Sequence, residues 1–225
     1  AADAFFEAMS GFTTTGASVL SDVEAVPRCI LFWRSATHWL GGMGIVVLTV
    51  AIFPLLGIGG LRIMEAESPG PSVDRIPARI SGTAKTLWLV YLGMTVLETA
   101  LLMLAGLDLF DSVTHTFGTV ATGGFGVRNA SVGHYGNPAV EWIVAVFMFL
   151  SGMNFTLHFR AVTGRPLAAF RDVEFRIYLS IVLAATAVIA VDLLRSGIAA
   201  NLAARDAFFQ TATIITTTGF ATDDF

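Results

Sequence analysis

Three Thr-Gly pairs are the residues of this 225-residue chain whose spacing could do chemistry. They stand at residues 15–16, 122–123 and 218–219, at intervals of roughly 100 residues, each after a short helix-like segment. Glycine adopts backbone angles that a Cβ forbids, and a preceding threonine can add a hydroxyl oxygen. Loops of this kind can turn several carbonyl oxygens towards one axis, where they replace the water of a monovalent cation.

The segments that carry the first and third pairs repeat one another. The sequence DAFF at residues 3–6 precedes TTTG at 13–16, and the same two tetrapeptides recur at 206–209 and 216–219. The Asp-to-Gly separation is therefore the same in both copies. Equal spacing over two separate stretches predicts two copies of one structural unit.

A middle copy is weaker. Alignment of Gly123 with Gly16 keeps the Thr-Gly pair and also aligns two earlier glycines, at positions 118 and 11, but it leaves Asp111 one position away from Asp3. Residues 109–117 predict a short helix, and the glycine-rich stretch that follows cannot continue it. This pattern predicts a re-entrant segment, because non-helical backbone at membrane depth persists only against protein or a water-filled path.

The elements that must position these loops are membrane spans. Hydrophobic residues make up 55% of the chain and charged residues 13%, and the mean hydropathy is +0.73. About 20 apolar residues of helix are needed to cross a bilayer. The stretches that qualify are residues 35–58, 87–107, 139–157 and 177–194.

The charge distribution predicts the orientation. Two short loops, residues 61–85 and 160–176, hold eight of the 13 basic residues and are therefore expected to be cytoplasmic. The other connections are acidic and are expected to form an outer vestibule that attracts cations. Their acidic residues are Asp3, Glu7, Asp22, Glu24, Asp108, Asp111, Glu141, Asp206, Asp223 and Asp224. A net charge of -4 argues against a nucleic-acid partner.

The resulting fold class is an all-α membrane protein built from repeated helix, pore loop and helix units around a cation pore. The expected divisions are residues 1–84, 85–176 and 177–225, which make about two and a half of four repeats. Three loops leave a gap around an axis. We therefore expect the sequence to be part of a longer chain, with a fourth loop from its remainder or, less simply, from another subunit.

Several motifs resemble one known family. The sequences TTTGAS at 13–18, WLGGMG at 39–44 within residues 35–48, VATGGF at 120–125 and IITTTGFAT at 214–222 are similar to those of the TrkH family. Its members are the membrane subunits of bacterial Trk potassium uptake systems, within the wider Trk/Ktr/HKT superfamily. The loop that contains Glu65, Pro69-Gly70-Pro71 and Pro77 to Lys85 also resembles the family's first cytoplasmic connection.

The resemblance implies four repeats around one pore, a homodimer in the bacterial inner membrane with outward-facing filters, and a cytosolic TrkA-type ring that binds nucleotides. It implies K⁺ as the transported ion and no organic cofactor. The implied filter positions are Thr14, Thr15, Gly16, Ala17, Ala121, Thr122, Gly123, Gly124, Thr217, Thr218, Gly219 and Phe220. Glycine in each visible filter favours K⁺ over Na⁺ within this superfamily. The family's fourth filter and gating loop would lie beyond Phe225.

Two other functions remain open from the sequence. A Na⁺ or mixed-cation pathway of the same superfamily would differ only in fine filter geometry. An intramembrane hydrolase could use Ser10, Ser35, Ser151 or Ser180, but the sequence has no Gly-x-Ser-x-Gly elbow and the triple repeat would stay unexplained. We therefore expect a protein that is not an enzyme.

Remaining polar and glycine motifs favour packing roles. The four histidines lack metal-ligand spacing, and Glu98 within the second span predicts either a polar path or a protonated or paired group between helices. The glycines of residues 41–44 lack the strand and the Lys-Ser/Thr of a phosphate loop, and they predict close helix packing.

Overall fold

The computed structural model describes residues 1–52, 80–162 and 168–222, and this part of the chain consists of helices and loops without a β-strand. The helices are α1 (Ala2–Phe12), α2 (Arg28–Ile52), α3 (Ile80–Leu104), α4 (Leu109–Val120), a 3-10 helix (Ser131–Tyr135), α5 (Pro138–Ser151), α6 (Phe155–Val162), α7 (Ala168–Arg171), α8 (Val173–Arg195) and α9 (Ala200–Ile215). Helices α1, α4 and α9, of 11, 12 and 16 residues, each lie next in the chain to a helix of 23 or 25 residues, namely α2, α3 and α8. The all-α class is confirmed.

Two helices of the described residues are long and apolar enough to cross a membrane. They contain Leu87–Leu104 of α3, with a mean hydropathy of 1.8, and Val173–Arg195, which is α8, with 2.3. Only 6% of the most apolar stretch of α8 is buried inside the protein. A helix that is apolar on all sides and mostly uncovered needs lipid or further protein around it.

The sequence predicts one continuous span over residues 139–157, and this prediction is wrong because the helix is interrupted. Helix α5 ends at Ser151, and Gly152 forms the C-cap before α6 begins. A Cβ at Gly152 would lie 2.7 Å from Thr216 Cγ2 and 2.8 Å from the Tyr178 hydroxyl. The helix therefore ends where the third pore loop and α8 approach it most closely.

Helix α2 begins at Arg28, seven residues before the predicted start. Its first turns contain Arg34, which is only 8% exposed and forms an ion pair with Glu7. A count of apolar residues stops at this arginine, because it cannot show that Glu7 neutralises the charge. Residues 53–58 of this predicted span lie outside the described residues. So do the rest of the first basic loop, up to residue 79, and residues 163–167 of the second.

The predicted glycine packing on α2 is confirmed at two positions. A Cβ on Gly41 would overlap the carbonyl group of Phe12, at the end of α1. A Cβ on Gly42 would lie 2.9 Å from the Tyr91 hydroxyl and 3.0 Å from Ala121 Cβ. Helix α2 therefore touches α3 and the ends of two short helices because it carries no side chain at these positions.

The predicted re-entrant helix is present and is three residues longer than expected. The Asp108 side chain caps α4 by accepting a hydrogen bond from the Asp111 amide at 2.7 Å. Helix α4 packs against α2, α3 and α5. Glu98 on α3 is 0% exposed, which fits the expectation of a group buried between helices.

The outer loops of successive repeats interlock through the backbone. The Gly133 amide donates to the Ala221 carbonyl at 3.1 Å, and the Ala221 amide donates to the Ser131 hydroxyl at 3.2 Å. Asn129 makes a similar bridge to the first repeat, where its side chain accepts from the Val23 amide at 2.8 Å. These bridges fix the three loops relative to one another above the short helices.

Gly133→Ala tests this interlock. A Cβ at this position would lie 2.5 Å from the Thr222 carbonyl oxygen, and overpacking of this kind costs about 1–3 kcal/mol. We expect a lower melting temperature of the purified full-length protein in detergent. Gly93→Ala on α3 is the control, because its Cβ meets no described atom within 4 Å. Equal melting temperatures for the two variants would show that the loops are not packed in this register.

Candidate ion-binding site

The three short helices end in loops with the same backbone geometry. In each loop a threonine and, two residues later, a glycine have positive φ angles. The values are 54° at Thr14, 52° at Thr122, 59° at Thr217, 77° at Gly16, 77° at Gly124 and 81° at Gly219. Threonine rarely adopts this left-handed region, so its recurrence at the same place in three loops marks one structural motif.

This geometry corrects the register of the middle copy. Gly124, and not Gly123, is the counterpart of Gly16, so the predicted alignment is wrong by one residue. The corrected register also places Asp111 on Asp3, which the sequence alignment left one position apart. The sequence comparison aligned the Thr-Gly pairs and not the aspartates, but alignment of the aspartates gives the correct register.

Ala121, which the resemblance assigned to the filter, has a helical and not a left-handed backbone conformation. It is the C-cap of α4, with φ -80° and ψ -7°, and it occupies the place of the C-caps Thr13 and Thr216. In the middle loop the residues equivalent to 14–16 and 217–219 are 122–124. Phe125, which the prediction did not include, stands where Ala17 and Phe220 stand in the other loops.

The amide groups of the loops turn back onto their own helices. The residue before each glycine donates to a carbonyl five positions earlier, near the helix end. These bonds run from Thr15 to Ser10 at 3.0 Å, from Gly123 to Gly118 at 2.9 Å and from Thr218 to Thr213 at 2.9 Å. Each of these amides therefore has its acceptor in its own repeat. The carbonyls of the loop can point away from the helix, towards the neighbouring loops.

The loops approach one another through these carbonyls. A Cβ on Gly16 would overlap the Gly123 carbonyl oxygen and would lie 4.0 Å from that of Thr218; a Cβ on Gly124 would overlap the Thr218 oxygen. Gly16 and Gly124 thus each face the carbonyl that precedes the glycine of the next loop. Around Gly219, no atom of the described residues lies within 4 Å of the corresponding position.

Threonine hydroxyls brace the first and third loops. The Thr13 and Thr15 hydroxyls are 2.8 Å apart, and those of Thr216 and Thr218 are 2.7 Å apart. The side chain three residues before each C-cap also bonds to the chain after the glycine, because Ser10 donates to the Ala17 carbonyl at 2.6 Å and Thr213 donates to that of Phe220 at 2.9 Å. The carbonyls of these two predicted filter residues are therefore held against their own helices.

The middle loop is supported by an aromatic side chain instead. A Cβ on Gly123 would lie 2.6 Å from Cγ of His38 on α2, which explains why glycine replaces the threonine found in the other loops. The His38 ring also stacks on Phe125 at a centroid distance of 3.9 Å. This contact fits the packing role expected for the histidines, although the sequence did not connect His38 with a loop 85 residues away.

The acidic residues above the loops are less available than predicted. Glu7 pairs with Arg34, and Asp111 accepts from Arg128 at 2.8 Å and from the Tyr135 hydroxyl at 2.7 Å. Arg205 lies 2.8 Å from both Glu141 and Asp206. These four carboxylates are neutralised by neighbours, so the expected vestibule of free acidic groups is partly wrong. Residues 223 and 224 lie outside the described residues.

Hydrogen bonds at this outer surface shift several pKa values. The hydrogen bond to the Asp111 carboxylate raises the pKa of the Arg128 guanidinium. Burial raises the pKa of the Tyr135 phenol, and the hydrogen bond to Asp111 raises it further. A hydrogen bond from the Asn129 side chain lowers the pKa of the Asp22 carboxyl. These groups therefore keep their charge states across the neutral range, and with them the contacts of Asp111 within the second repeat and the Asn129–Asp22 hydrogen bond to the first.

The arrangement suits the binding of a dehydrated cation. The C-terminal ends of the short helices carry partial negative charge, and the carbonyl oxygens beyond them converge from successive loops. Oxygen ligands of this type replace the water shell of a monovalent cation. The described residues contain no cluster of His, Cys, Asp and Glu that could hold a transition metal.

Comparisons with known proteins agree with this reading. Residues 1–225 match a family model described as TrkH, cation transport protein. The Trk system potassium uptake protein TrkH of Escherichia coli (strain K12) is 44% identical over 225 residues, which cover 98% of this chain and 47% of that protein. The Trk system potassium uptake protein TrkG of the same strain is 37% identical over 226 residues, or 99% of this chain and 47% of that protein.

A solved structure is also similar. The crystal structure of the potassium transporter TrkH from Vibrio parahaemolyticus superposes with a TM-score of 0.82 at 41% sequence identity, covering 98% of this chain and 45% of that chain. The chain thus spans about half the length of the relatives it matches. Its relatives are transport proteins of membranes. The match along the whole sequence, together with the repeated loop geometry, places this chain in the TrkH family of cation transport proteins.

Proposed function

We propose that the protein conducts K⁺ across the bacterial inner membrane through a filter of carbonyl oxygens. The filter segments are residues 14–16, 122–124 and 217–219 in the corrected register. The observation that carries the proposal is the repeated pair of left-handed residues, a threonine and then a glycine, at the end of three short helices. The family's potassium uptake relatives support K⁺ as the ion.

Conduction of this kind needs no bond chemistry. The ion exchanges water for carbonyl oxygens, moves along the axis under its electrochemical gradient and regains its water on the other side. Of the serines that a hydrolase could have used, Ser10 and Ser180 donate to backbone carbonyls at 2.6 Å and 2.7 Å, whereas the hydroxyls of Ser35 and Ser151 are buried without a hydrogen-bond partner among the described residues. The repeated loop geometry, and not the state of the serines, supports a transport subunit that is not an enzyme and has no organic cofactor.

The ring of ligands is completed by a fourth loop of the same geometry. Two observations support this fourth loop. No atom of the described residues packs against the Cβ position of Gly219, and the relatives are about twice as long as this chain. A fourth loop would place a carbonyl against Gly219, as Gly123 does against Gly16. Its own glycine would face the Thr15 carbonyl and close the circle.

The partners in this proposal are the lipid bilayer, a second copy of the protein and a cytosolic TrkA-type nucleotide-binding ring. The basic loops at residues 61–85 and 160–176 face the cytoplasm, where the ring would bind, and the filters face outward. The family resemblance supports the dimer and the ring. Nucleic acid is not among the proposed partners, because the net charge is -4.

Cation uptake into liposomes tests the proposal. The full-length protein is reconstituted, and uptake of K⁺, Rb⁺, Na⁺ and Li⁺ is compared under an imposed gradient. We expect K⁺ and Rb⁺ to exceed Na⁺ and Li⁺. Equal or Na⁺-favoured uptake would replace the function with a Na⁺ or mixed-cation pathway, and absence of any uptake would contradict a conducting pore.

Gly219→Ser is expected to weaken discrimination between K⁺ and Na⁺. A Cβ at φ 81° strains the loop and displaces its carbonyls, so we expect the K⁺/Na⁺ uptake ratio to fall by roughly tenfold. Gly197→Ser is a matched control, since Gly197 also has a positive φ, 86°, and no described atom near its Cβ position, but it lies between α8 and α9. An unchanged ratio in Gly219→Ser would remove Gly219 from the filter.

A second pair of serine variants tests the corrected register. Gly124→Ser would push a Cβ into the Thr218 carbonyl oxygen, so uptake and selectivity should both fall. Ala121→Ser should preserve both, because a hydroxyl at this C-cap can donate to the Phe117 carbonyl as Thr216 donates to that of Ala212 at 2.7 Å. The opposite result, with Ala121 sensitive and Gly124 tolerant, would restore the uncorrected alignment.

A further inference from the structure

Arg34 on α2 is a buried cation directly behind the first two loops. Its Nε donates to Glu7 Oε2 at 2.7 Å, and its Nη1 donates to the Gly126 carbonyl at 3.1 Å. Gly126 follows the second filter segment by two residues. The guanidinium therefore connects the first short helix, through Glu7, with the chain that leaves the second filter segment.

Glu7 extends this connection to the first loop. Its Oε1 accepts from the Ser18 hydroxyl and from the Val19 amide, both at 2.7 Å. Ser18 follows Gly16 by two residues, as Gly126 follows Gly124. One carboxylate and one guanidinium thus hold the equivalent points of two neighbouring loops.

An aromatic contact strengthens the second half of the link. The Arg34 guanidinium carbon lies 3.5 Å from the centroid of the Phe125 ring, and the same ring stacks on His38. A cation over an aromatic face gains more where water is excluded. Phe125 is the residue directly after Gly124, so this contact fixes the chain at the outer end of the second filter segment.

The link is specific to the first two loops among the described residues. In the corrected register the counterparts of Glu7 are His115 on α4 and Gln210 on α9, neither of which is a carboxylate. Phe220, the counterpart of Phe125, lies in an apolar cluster with Val144 and Met148. The residue after the third filter glycine is therefore packed among apolar side chains, whereas the one after the second filter glycine is held under a guanidinium.

We propose that Glu7 and Arg34 are a positioning pair that holds the first and second filter segments in register, and that Glu7 also screens the filter from the Arg34 charge. The proposal rests on the conduction proposed above. A guanidinium left without its carboxylate this close to the loops would repel a dehydrated cation, and Glu7 cancels that repulsion at contact distance. The pair thereby determines cation affinity and selectivity without touching the ion.

The experiment uses uptake kinetics of the purified full-length protein in liposomes. Glu7→Gln keeps the shape and leaves Arg34 charged, and we expect the K⁺ concentration for half-maximal uptake to rise by about tenfold and the K⁺/Na⁺ ratio to fall. The double variant Glu7→Gln with Arg34→Met removes both charges and should recover the part of the affinity that is lost to the uncompensated Arg34 charge, while the part lost with the link between the loops stays lost. Arg28→Met is the matched control, because the Arg28–Asp108 pair is exposed and 3.7 Å long, and it should leave both values unchanged.

Hydrogen exchange of the same variants provides a readout that does not depend on transport. Loss of the pair should speed exchange in peptides covering residues 17–20 and 125–127, whichever cation the protein carries. Wild-type protein without K⁺ uptake would refute the proposed function alone. Unchanged exchange in Glu7→Gln, or unchanged half-saturation and ion ratio at normal uptake capacity, would overturn the positioning pair. A double variant as impaired as the single one would overturn the screening role.

Discussion

Backbone amides that leave a helix at membrane depth must still be hydrogen-bonded, and this requirement shapes the rest of the structure. Water is absent there, and each unsatisfied group costs several kcal/mol. The three loops meet it in one way, by returning the amide before each glycine to a carbonyl five residues earlier. Because the donors are used inside each repeat, the acceptors remain for neighbouring loops and for an ion. The geometry of the three loops follows from how the helices end.

The same local solution needs a different scaffold in each repeat. The first and third loops have threonine before the glycine and brace it with a second threonine hydroxyl. The middle loop has Gly123 there, because the His38 ring occupies the space of a side chain. Its position then depends on Phe125, whose ring contacts Arg34 and His38 of α2 in the first repeat. The middle loop therefore reaches the same backbone conformation with a different sequence, because α2 provides the packing that threonine hydroxyls provide in the other two loops.

Periodic and compositional features of the fold could be predicted from the sequence, and contact-dependent ones could not. Apolar length located α3 and α8, and the recurrence around Gly16 and Gly219 located two loops in the right register. The start of α2 was missed because Arg34 is charged, and only a partner 27 residues away makes its burial possible. The middle register failed for a similar reason, since Gly123 stands where the other loops have threonine, and the His38 ring from α2 that excludes a side chain there is not visible in the sequence.

The threonines at positive φ show why strain persists at this site. A β-branched residue in the left-handed region costs about 1–3 kcal/mol, and glycine there would avoid the cost. Yet the Thr14 hydroxyl donates to the Thr13 carbonyl at 2.7 Å, and the Thr217 hydroxyl donates to that of Thr216 at 2.6 Å. Those carbonyls end their helices and have no amide partner of their own. A glycine would relieve the backbone strain but would remove the hydroxyl that donates to this carbonyl, so the threonine offsets part of the strain with its own hydrogen bond.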